Sequence, residues 1–395
     1  MSYCEQIIIS GAYGTSNLGD EAILYGFLRI LRQEDALAKI VVLSYHPQET
    51  GALHRVGAIP RLHFPRAFGY VLSRRGFCPF SQNDKTTFET LVNADLVILG
   101  GGGLFYDYPI YGAPSWKSPV SYRTSEFALM KCIGKPVAIY AVGIGPVQTL
   151  LGKLFIHYVG NHADYFSVRD MESKAILTRF GVKMPIRVVP DPAIMLKPVY
   201  TDRVGDITRV AGKTHLSVAV NIRPWVFSKA ESSVFVRSIA RLCDELISNY
   251  GASVVLIPMH SKDIQCLGTV YDCVNQKAKV VFVDQILTAP EVAGMLKRMA
   301  FVVSMRLHTL VLAAAQGVPS IGFAYAPKIA GFLNQTGQYD FCLELAPDID
   351  RIALDAIERL IPIIPQVSKN LLEWKSWAEQ ESMNAIRAVL NLKNA

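Results

Sequence analysis

In the second half of the sequence, a cation or an imidazole follows almost every short apolar, β-rich run. Leu216–Asn221 leads to Arg223, and Ser253–Ile257 leads to His260 and Ser261. Phe301–Ser304 runs into Ser304-Met305-Arg306-Leu307-His308, and Ser320–Phe323 leads through Tyr325-Ala326-Pro327 to Lys328. Each residue alone is a weak signal. A lone histidine is more often structural, and Lys328 reads almost equally as a solvated lysine at a helix start. The coincidence is stronger, because four of the five runs carry such a group at the same end. In an open parallel sheet, ligands bind beyond the carboxyl ends of the strands. Helix N-termini at that edge add partial positive charge and free N–H groups. The chemistry expected there is binding of a phosphate or a carboxylate.

The first half carries glycines where the second carries cations. The run Gln6–Ser10 exits into a loop containing Gly11, Gly14, Asn17 and Gly19, followed by Asp20 and Glu21. Three glycines and an asparagine exceed what one helix cap needs, so the loop reads as ligand-facing, although Asp20 itself reads as the cap of the next helix. Leu96–Leu99 exits into four successive glycines, Gly100 to Gly103. Either their backbone approaches a substrate, or they allow tight packing of sheet on helix. Val137–Ala141 exits into Gly143-Ile144-Gly145-Pro146, and Tyr165–Val168 exits into Arg169-Asp170. Arg169 with Asp170 reads equally as a ligand-facing pair or as an internal ion pair. Asp191, between Pro190 and Pro192, reads as a turn residue.

These exits matter only if parallel sheets hold them. Buried β-rich runs alternate with helical patterns along most of the chain, which indicates parallel strands joined by helices. A first series spans Gln6–Ser10, Ile40–Ser44, Leu96–Leu99, Val137–Ala141, Tyr165–Val168 and Arg187–Val189. A second begins after Lys213 and adds Val280–Val283 to the runs named above. The fold class expected is α/β with two doubly wound, Rossmann-like domains. Lys197 to Lys213 is polar, lacks an apolar period and serves as the expected boundary. The expected domains are therefore 1–200 and 213–365. The segment 366–395 is expected to be helical and is a candidate to cross back to the first domain.

Composition narrows the function classes. Of 395 residues, 51% are hydrophobic and only 18% charged, which supports large cores and argues against disorder. The net charge of +7 is too diffuse to suggest nucleic acid and suits anionic substrates or a membrane surface. Leu307 to Pro327 lacks charged residues, but Gln316-Gly317-Val318-Pro319 reads as a helix stop and strand start, not as a membrane span. Met1 to Ile9 shows no basic segment and no long apolar segment of a secretory signal. The seven cysteines are scattered without Cys-x-x-Cys spacing, so reduced thiols and a cytoplasmic location are expected. No metal-ligand cluster appears, and neither a metal nor a cofactor is expected.

The glycine loop from Gly11 through Asn17 to Asp20-Glu21-Ala22 resembles the opening motif of the polysaccharide pyruvyl transferases. Leu99 to Gly103, Gly143 to Pro146 and Ser167 to Asp170 resemble later blocks of that family. Ser304-Met305-Arg306-Leu307-His308, followed by Gly317 to Ser320 and Lys328, is the most specific match. The similarity runs from about residue 7 to about residue 340. The resemblance implies two Rossmann-like domains facing across a cleft, as in GT-B glycosyltransferases. It implies pyruvyl transfer from phosphoenolpyruvate to two hydroxyls of one sugar, giving a cyclic ketal. The donor side would use Arg306, Lys328, Arg223, His260 and Ser304, with His308 as the catalytic proton donor. The acceptor side would use Gly11, Asn17, Asp20, Gly101, Gly102 and Arg169. The acceptor implied is a glycan or a lipid-linked sugar. Arg61 to Phe80, with four arginines, five aromatics and no acid, is a candidate peripheral contact at the inner face of the membrane. Two alternatives stand beside this reading: a GT-B-type glycosyltransferase using a nucleotide sugar, and a catalytically silent polysaccharide-assembly protein. For the first, Glu344 is the nearest acidic residue for a ribose.

Overall fold

The computed structural model describes residues 6–62, 82–107, 118–211, 216–224 and 228–394. They form two α/β units, each built on one parallel sheet. The first sheet has β1 (Gln6–Ser10), β2 (Lys39–Ser44), β3 (Gly57–Pro60), β4 (Leu96–Phe105), β5 (Val137–Ile144), β6 (Tyr165–Val168) and β7 (Arg187–Val188). Their order is β3-β2-β1-β4-β5-β6-β7. The second has β8 (Ser217–Asn221), β9 (Ser253–Leu256), β10 (Val280–Phe282), β11 (Phe301–Ser304), β12 (Ser320–Ala324) and β13 (Cys342–Glu344). Their order is β10-β9-β8-β11-β12-β13. Each order reverses direction once, between β1 and β4 and between β8 and β11. At such a switch point, loops leave toward opposite faces and open a crevice for a ligand.

The strands form where branched and aliphatic residues run uninterrupted. Ile7, Ile8 and Ile9 are fully buried, as are Val97 to Leu99, Val218 to Val220 and Phe301 to Val303. Burial on both faces is what a sheet covered by helices on each side requires. The first core joins Ile8, Leu99, Phe127, Ile139, Ile156 and Phe166. The second joins Val220, Ile239, Leu256, Val303, Phe323 and Ile357.

Met1–Thr15, Ile23–Pro192 and Gln380–Ala395 make up the first compact unit, and Ser16–Ala22 with Ala193–Glu379 the second. The expected polar boundary contains a helix, Asp202–Ala211. The closing helix is a single one, Ile364–Leu390. In its last part, Ser382 accepts a hydrogen bond from the buried Tyr140 hydroxyl through its carbonyl (3.1 Å), and Arg387 pairs with Glu34 (2.7 Å).

The glycine run is also placed differently from expectation. β4 continues through it to Phe105, so the run is strand and not a loop. Gly101 has φ +73° and Gly102 φ +79°, backbone conformations that disfavour other residues. A Cβ on Gly100 would meet the Tyr140 carbonyl at 3.2 Å. Gly101 and Gly102 are buried, whereas Gly103 is exposed.

Candidate functional site

In the second unit, β8 and β11 flank the switch point, and their exits carry Arg223 and Arg306. The turn after β11 is fixed from below. The Ser304 hydroxyl donates to Asn221 Oδ1 (3.1 Å) and accepts from the Arg306 amide (2.9 Å). Asn221 in turn donates to the Ile257 carbonyl at 2.8 Å. Ser304 and Asn221 are fully buried. Ser304, expected to bind the donor directly, is therefore an internal support that sets the direction of Arg306.

Arg306 leaves this turn at the cap position of the helix Leu307–Ala314. Its guanidinium forks onto Asp263, with Nε to Oδ2 at 3.0 Å and Nη2 to Oδ1 at 2.5 Å. Asp263 is fully buried and also accepts from the Met259 amide (3.1 Å). This carboxylate consumes one edge of the Arg306 fork. Nη1 holds no hydrogen-bond partner among the described residues and remains the atom able to meet an anion.

Beside it, His260 caps the helix Ser261–Cys273. Its Nδ1 accepts from the Lys262 amide at 3.1 Å, which leaves the proton of the neutral ring on Nε2. Burial and the Arg306 guanidinium hold this imidazole below its ordinary value, with Asp263 opposing them. At neutral pH His260 is thus an uncharged N–H donor.

Arg223 and Lys328 converge on one phenol. The Arg223 guanidinium lies 5.1 Å from the Tyr325 ring centroid, and the Lys328 ammonium 5.3 Å. Arg223 Nη1 also reaches the Tyr325 hydroxyl at 3.4 Å. Burial pushes the phenol up, yet Lys328 and Arg223 outweigh it and bring Tyr325 below its ordinary value. Among the described residues, the cluster thus gathers three cations, Arg223, Arg306 and Lys328, near one carboxylate, Asp263. That excess of positive charge at a switch point is suited to a multiply charged anion. Asp263 and Tyr325 were missed in the sequence. Tyr325 stands in the same strand exit as Lys328, so the aromatic between strand and lysine was its available signal.

His308 lies in the first turn of the helix Leu307–Ala314, half-buried. Gly19 packs against its ring: a Cβ there would stand 2.6 Å from His308 Cγ and 2.8 Å from Cε1. Only a glycine allows the backbone of that segment so close to the imidazole. Asn17 holds this segment in place. It caps the helix Leu18–Glu34, its Oδ1 accepting from the Gly19 amide (3.3 Å) and its amide donating to Asp20 Oδ2 (2.7 Å). Asn17 is thus the cap, and Asp20 sits inside the first turn.

The remaining first-half residues are internal or nearly so. Arg169 is buried and pairs with Asp191 at 3.1 Å and Asp170 at 3.7 Å. Of its two readings, the internal ion pair is the one formed. Asp170 caps the helix Met171–Arg179 through the Ser173 amide (2.7 Å). Gly11 is tightly packed, its absent Cβ facing the Tyr13 ring and the Gly100 carbonyl at 2.8 Å. Residues 63–80 of the basic, aromatic segment lie outside the described residues, and its membrane reading rests on sequence. Among the described residues, no helix is long and apolar enough to cross a membrane.

The fold recurs in solved structures. S. aureus MnaA in its co-structure with UDP matches with a TM-score of 0.64 at 13% identity, over 98% of this chain and 97% of that one. Anabaena Alr3699/HepE in complex with UDP matches with a TM-score of 0.61 at 10% identity, over 97% and 98%. The UDP-GlcNAc 2-epimerase of Methanocaldococcus jannaschii gives 0.59 at 12% identity, over 90% and 92%. These likenesses establish the architecture of paired Rossmann-like, GT-B-like domains and no activity. In sequence, the chain is 22% identical to the amylovoran biosynthesis protein AmsJ of Erwinia amylovora, over 88% of this chain and 89% of that one. The profile of the polysaccharide pyruvyl transferases matches residues 17–327, from the Asn17 cap to the start of the Lys328 helix. With that match spanning most of its length, the chain belongs to the polysaccharide pyruvyl transferase family.

Proposed function

We propose that the chain transfers a pyruvyl group from phosphoenolpyruvate to two hydroxyls of one sugar in a polysaccharide or its lipid-linked precursor, forming a cyclic ketal in the cytoplasm. The observation that carries this reading is the excess of cations at the β8/β11 switch point, with His308 in the same unit. Phosphoenolpyruvate brings a phosphate and a carboxylate on one small molecule. Arg223, Lys328 and the free Nη1 of Arg306 supply charge-assisted donors for them, and His260 Nε2 adds a neutral one.

The reaction needs a proton at C3 of the enol and a departing phosphate at C2. His308, as imidazolium, gives its proton to C3, which makes C2 electrophilic. The first hydroxyl adds at C2. The C2–O bond to phosphate then breaks, and phosphate leaves with the electron pair. The second hydroxyl adds to close the ketal. Of the two hydroxyl protons, one restores His308 and the other leaves with phosphate or solvent. The cations that bind the ground-state phosphate also stabilise it as a leaving group. On the acceptor side, Gly11, Asn17, Asp20 and the Gly101–Gly103 stretch remain the proposed contacts. Gly103 is the exposed member of that stretch, and Arg169 acts through its ion pair.

The test is incubation with phosphoenolpyruvate and a glycan panel, read by mass spectrometry and phosphate release. A mass gain of one pyruvyl ketal with stoichiometric phosphate is expected. Consumption of a UDP-sugar in place of phosphoenolpyruvate would turn the assignment to a glycosyltransferase. Turnover of no donor would favour a silent assembly protein.

A further inference from the structure

The first unit carries a second charged cluster that the donor site does not use. It lies over the carboxyl ends of four adjacent strands. Arg61 follows β3, Tyr45 follows β2, and Ser10 and Gly11 end β1. Arg123 and Glu126 come from the helix Pro119–Cys132 that follows β4. The cluster therefore sits at the β1/β4 switch point, the counterpart of the β8/β11 position in the other sheet.

Its contacts are unequal. Glu126 accepts from the Ser10 hydroxyl (2.5 Å), from Arg61 Nη2 (2.8 Å) and from Arg123 Nη1 (2.9 Å). Arg123 Nη2 and Arg61 Nη1 both donate to the Gly11 carbonyl, the former at 2.9 Å. Two guanidiniums thus share one carboxylate and one peptide oxygen. Their side chains are only 12% and 7% exposed, and that of Glu126 is 13% exposed. A buried cation without a full counter-charge is costly, and a carbonyl dipole replaces a carboxylate poorly. Burial and the neighbouring Arg123 hold Arg61 below its ordinary value, and Glu126 and Tyr45 do not fully offset them. The Nε atoms of both arginines hold no partner among the described residues. Arg61 lies with its Cζ 5.1 Å from the ring centroid of Tyr45, a side chain that is itself exposed.

We infer that this cluster is an anion-binding subsite, in which Arg61 and Arg123 receive a negatively charged group, a carboxylate or a phosphate, carried by the sugar acceptor. Glu126 is the orienting partner: it fixes both forks and leaves one positive charge over. The inference rests on the transferase reading only in calling the ligand an acceptor. The anion preference is measured separately from donor binding.

The experiment is calorimetric titration of the full chain, with phosphoenolpyruvate saturating, by glucuronate, glucose 1-phosphate and neutral glucose. The wild type is expected to bind at least one charged sugar about tenfold more tightly than glucose, the scale of a charge-assisted hydrogen bond. Which sugar wins identifies carboxylate or phosphate. Arg61→Gln leaves the Arg123–Glu126 pair intact and neutral, so it is the variant most able to fold. It should reduce the preference to within about twofold while phosphoenolpyruvate affinity stays unchanged. Arg61→Lys keeps the charge without the fork and should retain part of the preference. Equal affinity for charged and neutral sugars in the wild type would overturn the subsite. So would a preference that survives Arg61→Gln, or no binding of either charged sugar. Failure of phosphoenolpyruvate to bind the wild type would instead strike the donor reading.

Discussion

Replacing Gly19 by alanine should separate the stability of a helix from the placement of His308. Gly19 is the second residue of the helix Leu18–Glu34 and has no positive φ. On helix propensity alone, alanine there would stabilise by about 0.5–1 kcal/mol. The added Cβ, however, would stand 2.6 Å from His308 Cγ, where ordinary contact begins at 3.4 Å, so the ring must retreat by at least 0.8 Å. The imidazole is half-buried and hangs on two torsions, so it can turn away. An off-rotamer position costs about 0.5–1.5 kcal/mol, which offsets the propensity gain. Gly19→Ala is therefore expected to melt within about 4 °C of the wild type. A misplacement near 1 Å at the reacting group lowers turnover by about 100-fold. Affinity for phosphoenolpyruvate should change little, because Arg223, Lys328 and Arg306 are untouched. Thermal unfolding, calorimetry with the donor, and phosphate release on a glycan that the wild type modifies give the three readouts. Normal turnover in a folded Gly19→Ala protein would refute the reasoning, since the position of His308 would then not matter. Loss of donor binding in step with turnover would make His308 a binding group only.

His308→Ala should lower turnover by about 100-fold or more with a smaller change in donor affinity, measured by the same phosphate-release assay. Lys328→Ala should weaken phosphoenolpyruvate binding without loss of stability. Arg306→Ala should weaken it too, but at a stability cost of about 1–3 kcal/mol because Asp263 loses its partner, so calorimetry must be paired with urea unfolding. The Glu126 carboxyl is pushed up by burial, but Arg61, Arg123 and Ser10 bring it below its ordinary 4.5. A depressed carboxyl stabilises the fold above its unfolded value and loses that contribution as pH falls through the folded value. Unfolding free energy should thus drop less steeply in Glu126→Gln than in the wild type below about pH 4.5. Co-sedimentation with anionic liposomes at low salt, lost at high salt and on changing Arg66, Arg74 and Arg75 to Ser, is the outcome expected if the 61–80 segment contacts the membrane. Equal, negligible binding to anionic and neutral liposomes would remove that contact.

The strands were legible where burial on both faces forces a continuous apolar run, as in Ile7–Ile9 or Phe301–Val303. Two edge strands, β3 and β13, were not legible, because the edge of a sheet relaxes that demand. β3 reads Gly-Ala-Ile-Pro and is half-exposed, with a proline that only an edge or strand end tolerates. β13 has three residues and one buried side chain. The helix Asp202–Ala211 escaped although Val204, Ile207 and Ala211 stand at helical spacing, because the charged Asp202, Arg203, Asp206 and Arg209 dominate so short a segment. Thr208 even bonds back to the Val204 carbonyl at 2.8 Å. The glycines of β4 misled for a different reason. Four in succession look like a loop, yet Tyr140 on the neighbouring strand and Ile23 on a covering helix occupy the space that side chains at Gly100 and Gly101 would need.

At the site, sequence shows which cations leave a sheet edge but not which of them are already neutralised. Arg306 and Arg223 look alike as arginines after parallel strands. Arg306 meets Asp263, 43 residues earlier, while Arg223 meets a phenol 102 residues later. These are different electrostatic situations. Arg306 is held rigid by a buried carboxylate and offers one free nitrogen; Arg223 and Lys328 share the ring of Tyr325. The same blindness hid the first-unit cluster. Arg61 read as part of a basic segment, and nothing in the sequence joined it to Arg123 or Glu126. The functional quantity is the charge left over at each switch point after internal pairing. That quantity depends on contacts across the fold, where a one-dimensional reading ends. Among the described residues, three cations gather about Asp263 at one switch point and two about Glu126 at the other, which is why the donor and, by inference, the acceptor are expected to bring negative charge.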